Sequence, residues 1–171
     1  SAYRNQLYTH NLHGHQLNVQ VNERDGSGYN TVHAGKDMLM VADPRYIAID
    51  LKYGPDGAVY INDWYDTQHC HNPNAEQWER GTGRMYRIQY EATYEPTLVN
   101  LSRKSDRELA WLQLHQNAWF ARTARRLLQE RSVKGEISPD ALEVLHNMSV
   151  EHANENRRLR AFWAIYVIGA V

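Results

Sequence analysis

The sequence predicts a β-plus-α chain, strands first and helices after. Three observations carry this. Residues 54–66, Gly-Pro-Asp-Gly-Ala-Val-Tyr-Ile-Asn-Asp-Trp-Tyr-Asp, place a tight turn before a short apolar alternation and an acidic, aromatic exit. Leu17 to Asn22 alternates apolar and polar with period two. From residue 96 the period changes, and helix caps precede apolar stripes.

In chain order, Gln6–Thr9 is a short strand and Asn11–His15 a loop centred on Gly14. Leu17–Asn22 is a strand, and Glu23–Gly28 a turn signalled by Asp25-Gly26. Tyr29–His33 is a weaker strand. Ile47–Tyr53 and Ala58–Asn62 form a hairpin, because Pro55 presets φ and Gly57 accepts a positive one. Residues 67–83 are polar and irregular, and Arg84–Tyr90 is the last strand. Closely spaced short strands with a Pro-Asp-Gly turn and an Asp-Trp exit suit β-propeller blades. With four strands to a blade, residues 1–95 amount to about one and a half to two blades, the C-terminal part of a propeller.

Residues 96–171 read as four helices. Ser105-Asp106-Arg107-Glu108 is a capping box ahead of Leu109, Leu112 and Gln113. Asn117 caps a helix from Ala118 to about Arg131, with Trp119, Phe120, Ala124, Leu127 and Leu128 on one stripe. Ser138-Pro139 opens a third helix, burying Leu142, Val144 or Leu145, and Met148. The fourth runs from about Glu155 to Gly169, with Leu159, Phe162, Trp163, Ile165 and Tyr166 as core candidates. Arg122–Arg125 and Arg160–Trp163 compare loosely at a separation of about forty residues, the spacing of a HEAT-like α-solenoid. Two helix pairs make an incomplete array, and with partial blades ahead of them the chain is expected to be a fragment that is marginally stable or associates.

Composition narrows the function classes. A net charge of −1 gives no field for nucleic acid or an anionic membrane. No apolar run approaches the roughly eighteen residues of a membrane helix. Cys70 is the one cysteine, so no internal disulfide forms. Eleven Tyr and five Trp against two Phe favour half-buried positions with a wet edge.

Two clusters could carry chemistry. Asp63, Asp66, His69, Cys70 and His71 combine carboxylate, imidazole and thiolate, a donor set for zinc or another transition metal. The carboxylates with loop carbonyls suit calcium. The same residues also suit a hydrogen-bonded loop, with Asp63 capping the strand exit and Asp66 closing an Asx-turn. His10, His13, His15 and His33 form the second group; His13 and His15 flank Gly14 and fit a metal, an axial haem position or an anionic substrate, or simple surface hydrogen bonding. The arginines at 122, 125, 126 and 131 suit either an acidic partner or a solvated face interleaved with Glu130.

The ordered set Asn11–His15, Glu23–Gly28, Gly54–Asp66, His69-Cys70-His71 and Gly83–Ile88, followed by Leu109, Leu112, Asn117, Trp119, Arg122, Ala124, Arg125 and Leu128, resembles the large bacterial membrane-bound dehydrogenases of planctomycete and verrucomicrobial type. In these a glucose/sorbosone dehydrogenase-like propeller is followed by helical repeats. The resemblance implies an exported protein, periplasmic or membrane-associated, oxidising a sugar or alcohol and passing electrons to a cytochrome-type acceptor. It implies pyrroloquinoline quinone and calcium as cofactors, with haem c in a module outside this chain, because no Cys-x-x-Cys-His motif is present. Where relatives place basic residues for the quinone, this chain carries His13 and Ile47, with His15 and Arg45 close by in sequence. Two other readings stand beside it: a propeller and helical module that binds glycan or protein without catalysis, and a calcium-dependent lactonase-like propeller.

Overall fold

The computed structural model describes residues 6–67, 79, 81–135 and 137–170. Among these residues are two antiparallel sheets and four α-helices. The chain divides into two compact units, residues 1–53 with 58–93 and residues 54–57 with 94–171.

In the first unit, β1 (Leu7–Asn11) and β2 (Gln16–Asp25) pair in register from Leu7 opposite Gln20 to Asn11 opposite Gln16. The other edge of β2 carries β3 (Gly28–His33) and then β4 (Leu39–Met40), which pairs with Gln16 and Leu17. The alternation in β2 does what period two requires: Leu17 and Val19 are buried and their neighbours are not. The outer strand β3 is exposed along its whole length. β4 is too short to leave a sequence signal, and the reading above has no strand there.

The second sheet is a meander of β5 (Ala48–Tyr53), β6 (Val59–Asp63) and β7 (Arg84–Ile88). The turn between β5 and β6 is closed by the Gly57 amide donating to the Gly54 carbonyl at 3.2 Å, and Gly57 sits at φ +77°. Register shifts between Ala48 and Asp50, where an irregularity re-aims the strand. Ile61, central in β6, is fully buried and packs with Tyr46 and Ala48, and Leu39, Leu51, Tyr86 and Ile88 surround them.

The second unit is helical. α1 (Asp106–Trp111) starts at Ser105, whose hydroxyl accepts from the Glu108 amide while the Glu108 carboxylate accepts from the Ser105 amide, so both halves of the capping box are present. α2 (Ala118–Ser132) is capped by Asn117, which accepts from the Trp119 amide. α3 (Pro139–Glu151) and α4 (Glu155–Val167) follow, with Asn154 capping the latter. Leu109, Ala110, Ala124, Leu128, Ala141, Leu145, Ala161 and Ala164 are solvent-free and form one core. Asp106 is buried at the start of α1 and accepts from Arg131 Nη1 at 2.5 Å and from the Ser138 amide at 2.8 Å, tying α1 to the ends of α2 and α3.

The buried face of α4 differs from the expected one. Ala161, Ala164 and Ile165 face the core, whereas Leu159, Phe162, Trp163 and Tyr166 remain between 42% and 66% exposed. Small residues let α4 approach α3 closely, and this ridge rather than the bulky one seats in the groove. In α2, similarly, Ala121, Ala124 and Leu128 are buried while Trp119, Phe120 and Leu127 are half-buried.

Candidate functional site

Several polar residues of the first unit, Asp43, Arg45, Asp63, Tyr65 and Asp66 among them, converge around the exit of β6. Asp63, only 1% exposed, ends the strand and turns its carboxylate back: Oδ1 accepts from the Ile47 amide at 2.7 Å and from the Tyr65 amide at 3.0 Å. The Trp64 amide donates to the Ile47 carbonyl, so the two segments are locked together at this corner. Tyr65 pays backbone strain for its place, at φ +48° in the left-handed region that a side chain disfavours. Its hydroxyl donates to Asp43 at 3.0 Å, and the Arg45 and Arg84 guanidiniums lie 5.0 and 3.4 Å from its ring centroid. Asp43 also accepts from the Arg45 amide at 2.9 Å, and these bonds hold its carboxyl below the usual range.

Asp66 is fully buried and accepts from the Glu79 amide at 2.8 Å, and Glu79 in turn forms an ion pair with Arg45. Thr82 Oγ1 donates to the Tyr65 carbonyl. The outer side of this corner is a cleft of about 280 Å³ lined by Ile49, Asn62, Asp63, Trp64, Glu79 and Gly83.

On the inner side, Tyr46 is 3% exposed with its hydroxyl buried. Burial first, then the nearby Asp63 carboxylate and Tyr86, push this phenol up to about 12. Among the described residues neither the Tyr46 hydroxyl nor Asp63 Oδ2 has a hydrogen-bond partner, so two buried polar atoms, on residues near enough to interact electrostatically, are left for a further donor or acceptor. His10 stands edge-on to Tyr46 at 6.1 Å between ring centroids, and burial depresses its affinity for a proton.

Of the residues singled out from the sequence, the structure thus places Asp63, Asp66 and Arg45 in one corner. His15 reaches the same region from β2's start: at φ +52° its Nδ1 meets the Tyr46 carbonyl at 2.5 Å. His13 is exposed on the loop, its amide donating to Asn11 Oδ1. His33 pairs with Asp37 at 2.8 Å, away from that corner by sequence and partner. His69, Cys70 and His71 lie outside the described residues. Among the described residues, no group of three or more His, Cys, Asp or Glu is arranged to hold a metal ion. Asp43 escaped the sequence reading, and Tyr65 entered it only as part of the aromatic exit of β6; the Asp43-Pro44 dipeptide, a turn initiator, is the signal that could have found the first.

The two sheets and the polar corner make the described part of the first unit an all-antiparallel β module. Residues 3–92 match the model of a domain of unknown function (DUF7133), and the chain belongs to that family. No curated protein and no solved structure matches it.

Proposed function

We propose that the chain is a recognition segment: two successive propeller blades followed by a HEAT-like helical array, offering side-chain surface to a protein or glycan partner. The observation that carries this reading is the use made of the candidate residues. Asp63 and Asp66 spend their carboxylates on backbone amides, Arg45 pairs with Glu79, and His15 meets a backbone carbonyl. Groups committed in this way build a rigid corner, and a rigid corner fixes the loops around it. Large apolar side chains meanwhile stand in water: Trp111 in α1, and Leu159, Phe162, Trp163 and Tyr166 in α4, are 42–66% exposed. Aromatic side chains grouped on a surface are the usual anchors of an interface.

A second reading keeps the sugar or alcohol dehydrogenase with pyrroloquinoline quinone and calcium. It is favoured by one observation, that Asp63 Oδ2 and the Tyr46 hydroxyl are both buried and, among the described residues, unsatisfied. Calcium, an oxygen-seeking ion, suits such atoms.

Probing glycan and peptide arrays with the purified chain, alongside dye-linked oxidation of sugars and alcohols with quinone and calcium added, separates the two. Saturable array binding without oxidation supports recognition. Quinone-dependent oxidation without array binding overturns it.

A further inference from the structure

We propose that the face shared by α2 and α4 is a binding site for an acidic peptide segment, whose carboxylates sit on Arg125 and its neighbours while its apolar side chains cover Trp163. The inference rests on the recognition reading and names the chemistry of the partner.

Four arginines come together here. Arg157 Nη1 and Arg160 Nη1 both donate to the His115 carbonyl, at 2.7 and 3.0 Å, which fixes two guanidiniums side by side. Arg125 projects from α2 and lies 5.2 Å from the Trp163 ring centroid of α4. Arg122, one turn earlier on α2, and Arg160 are near enough to act on it electrostatically. Burial, and then these two like charges, pull Arg125 below its ordinary affinity for a proton.

The decisive atom is Arg125 Nη1. It is shielded from solvent and, among the described residues, has no hydrogen-bond partner. A guanidinium N–H removed from water and left unmade is costly, and more so with like charges around it. Two other arginines of α2 show the contrast: Arg126 pairs with Glu130, and Arg131 with Asp106. A carboxylate placed on the Arg125 edge would satisfy the orphan donor and offset the repulsion together.

The adjoining groove supports a peptide. It has a volume of about 400 Å³ and is lined by Asn154, Asn156, Arg157, Leu159, Arg160 and Trp163: two amides, two guanidiniums and two apolar side chains, with no carboxylate among them. Asn side chains suit an extended backbone, and Leu159 and Trp163, both more than 40% exposed, suit aliphatic side chains between the acids. Guanidinium and indole together are the composition of an interaction hot spot.

The test uses the whole chain and a fluorescein-labelled peptide of alternating Glu and Leu, with a Gln and Leu peptide as the uncharged control. Fluorescence anisotropy reads binding in low and high salt. The expected result is saturable binding of the Glu peptide alone, weakened at least about tenfold by Arg125→Gln and by Arg122→Gln, unchanged by Arg126→Gln, and weakened by salt. Circular dichroism reports folding of each variant, and Arg122→Gln, on an exposed side chain, guards against loss of fold in the other. Absence of binding, equal binding of the Gln peptide, or indifference to both substitutions would overturn the inference. If the Glu peptide fails while another ligand binds saturably on the arrays, the site is wrong and the recognition reading stands. If nothing binds, both fail.

Discussion

Asp63 holds the amide of Ile47, sixteen residues earlier in the chain, at 2.7 Å in a solvent-free corner. This one bond joins the end of β6 to the entry of β5 and sets the position of Tyr65, whose amide shares the same carboxylate oxygen. The account follows from it: acidic residues that look like ligands in the sequence act here as organisers of backbone.

Asp63→Ala removes the acceptor of one buried and one half-buried amide and is expected to destabilise the first unit by about 3 kcal/mol, the sum of two modest hydrogen bonds to a charged group. Asp63→Asn keeps one acceptor oxygen and should cost less. Urea unfolding of both variants checks the order; equal losses would show that shape rather than charge holds the corner.

Asp106 and Arg131 form the buried counterpart in the helical unit. Asp106→Ala leaves the guanidinium and the Ser138 amide without their acceptor, and a loss of about 3–5 kcal/mol is expected. The Asp106→Leu, Arg131→Met double variant should recover part of it, because an apolar pair has no charge to strand. Chemical denaturation of Asp106→Leu, Arg131→Met and the double variant reads the coupling.

The capping box of α1 gives an acid-sensitive prediction. Bonds from Lys104, then from the Ser105 amide and hydroxyl, hold Glu108 down at about 2. A depressed carboxyl stabilises the fold above its ordinary value of 4.5, and that contribution is lost as pH falls from there toward 2. Thermal melts across this window should therefore fall less steeply for Glu108→Gln than for the unmodified chain. Ser105→Ala, measured at neutral pH, is expected to cost about 1 kcal/mol.

His10 predicts the opposite end of the acid range. Burial holds its imidazole below the ordinary 6.5, with a backbone hydrogen bond at Gln16 and then Asp63 acting the other way. The unfolded chain takes up this proton first, so stability is unaffected above about pH 6.5 and declines below it. Replacing His10 with Gln should flatten the melting temperature between about pH 6.5 and 5 relative to the unmodified chain. Parallel curves would mean that His10 is equally free to protonate in the folded state.

Local chemistry was legible in the sequence. The Pro-Asp-Gly hairpin, the Ser105 capping box and the Asn117 cap each depend on residues within a few positions of one another, and each is present. Strand β4 was not legible, because Leu39 and Met40 gain their conformation from Gln16 and Leu17 on β2 rather than from any pattern of their own. The seat of α4 was misjudged because periodicity gives two candidate stripes and bulk favours the wrong one; Ala161 and Ala164 win by allowing close approach. The Tyr65–Asp43 bond spans twenty-two residues, and only the folded chain brings its ends together.

The most direct test of the central claim, that the β6 corner is structural rather than a cofactor seat, is thermal unfolding with calcium and pyrroloquinoline quinone added in large excess. A ligand at a hundred times its Kd adds about 2.7 kcal/mol, which for a chain of this size is a shift of roughly 5–11 °C. A structural corner leaves the melting temperature within about 1 °C of the unliganded value, with an equal melt for either additive alone. An upward shift of several degrees that disappears in Asp63→Asn would contradict the claim and make the corner a binding site.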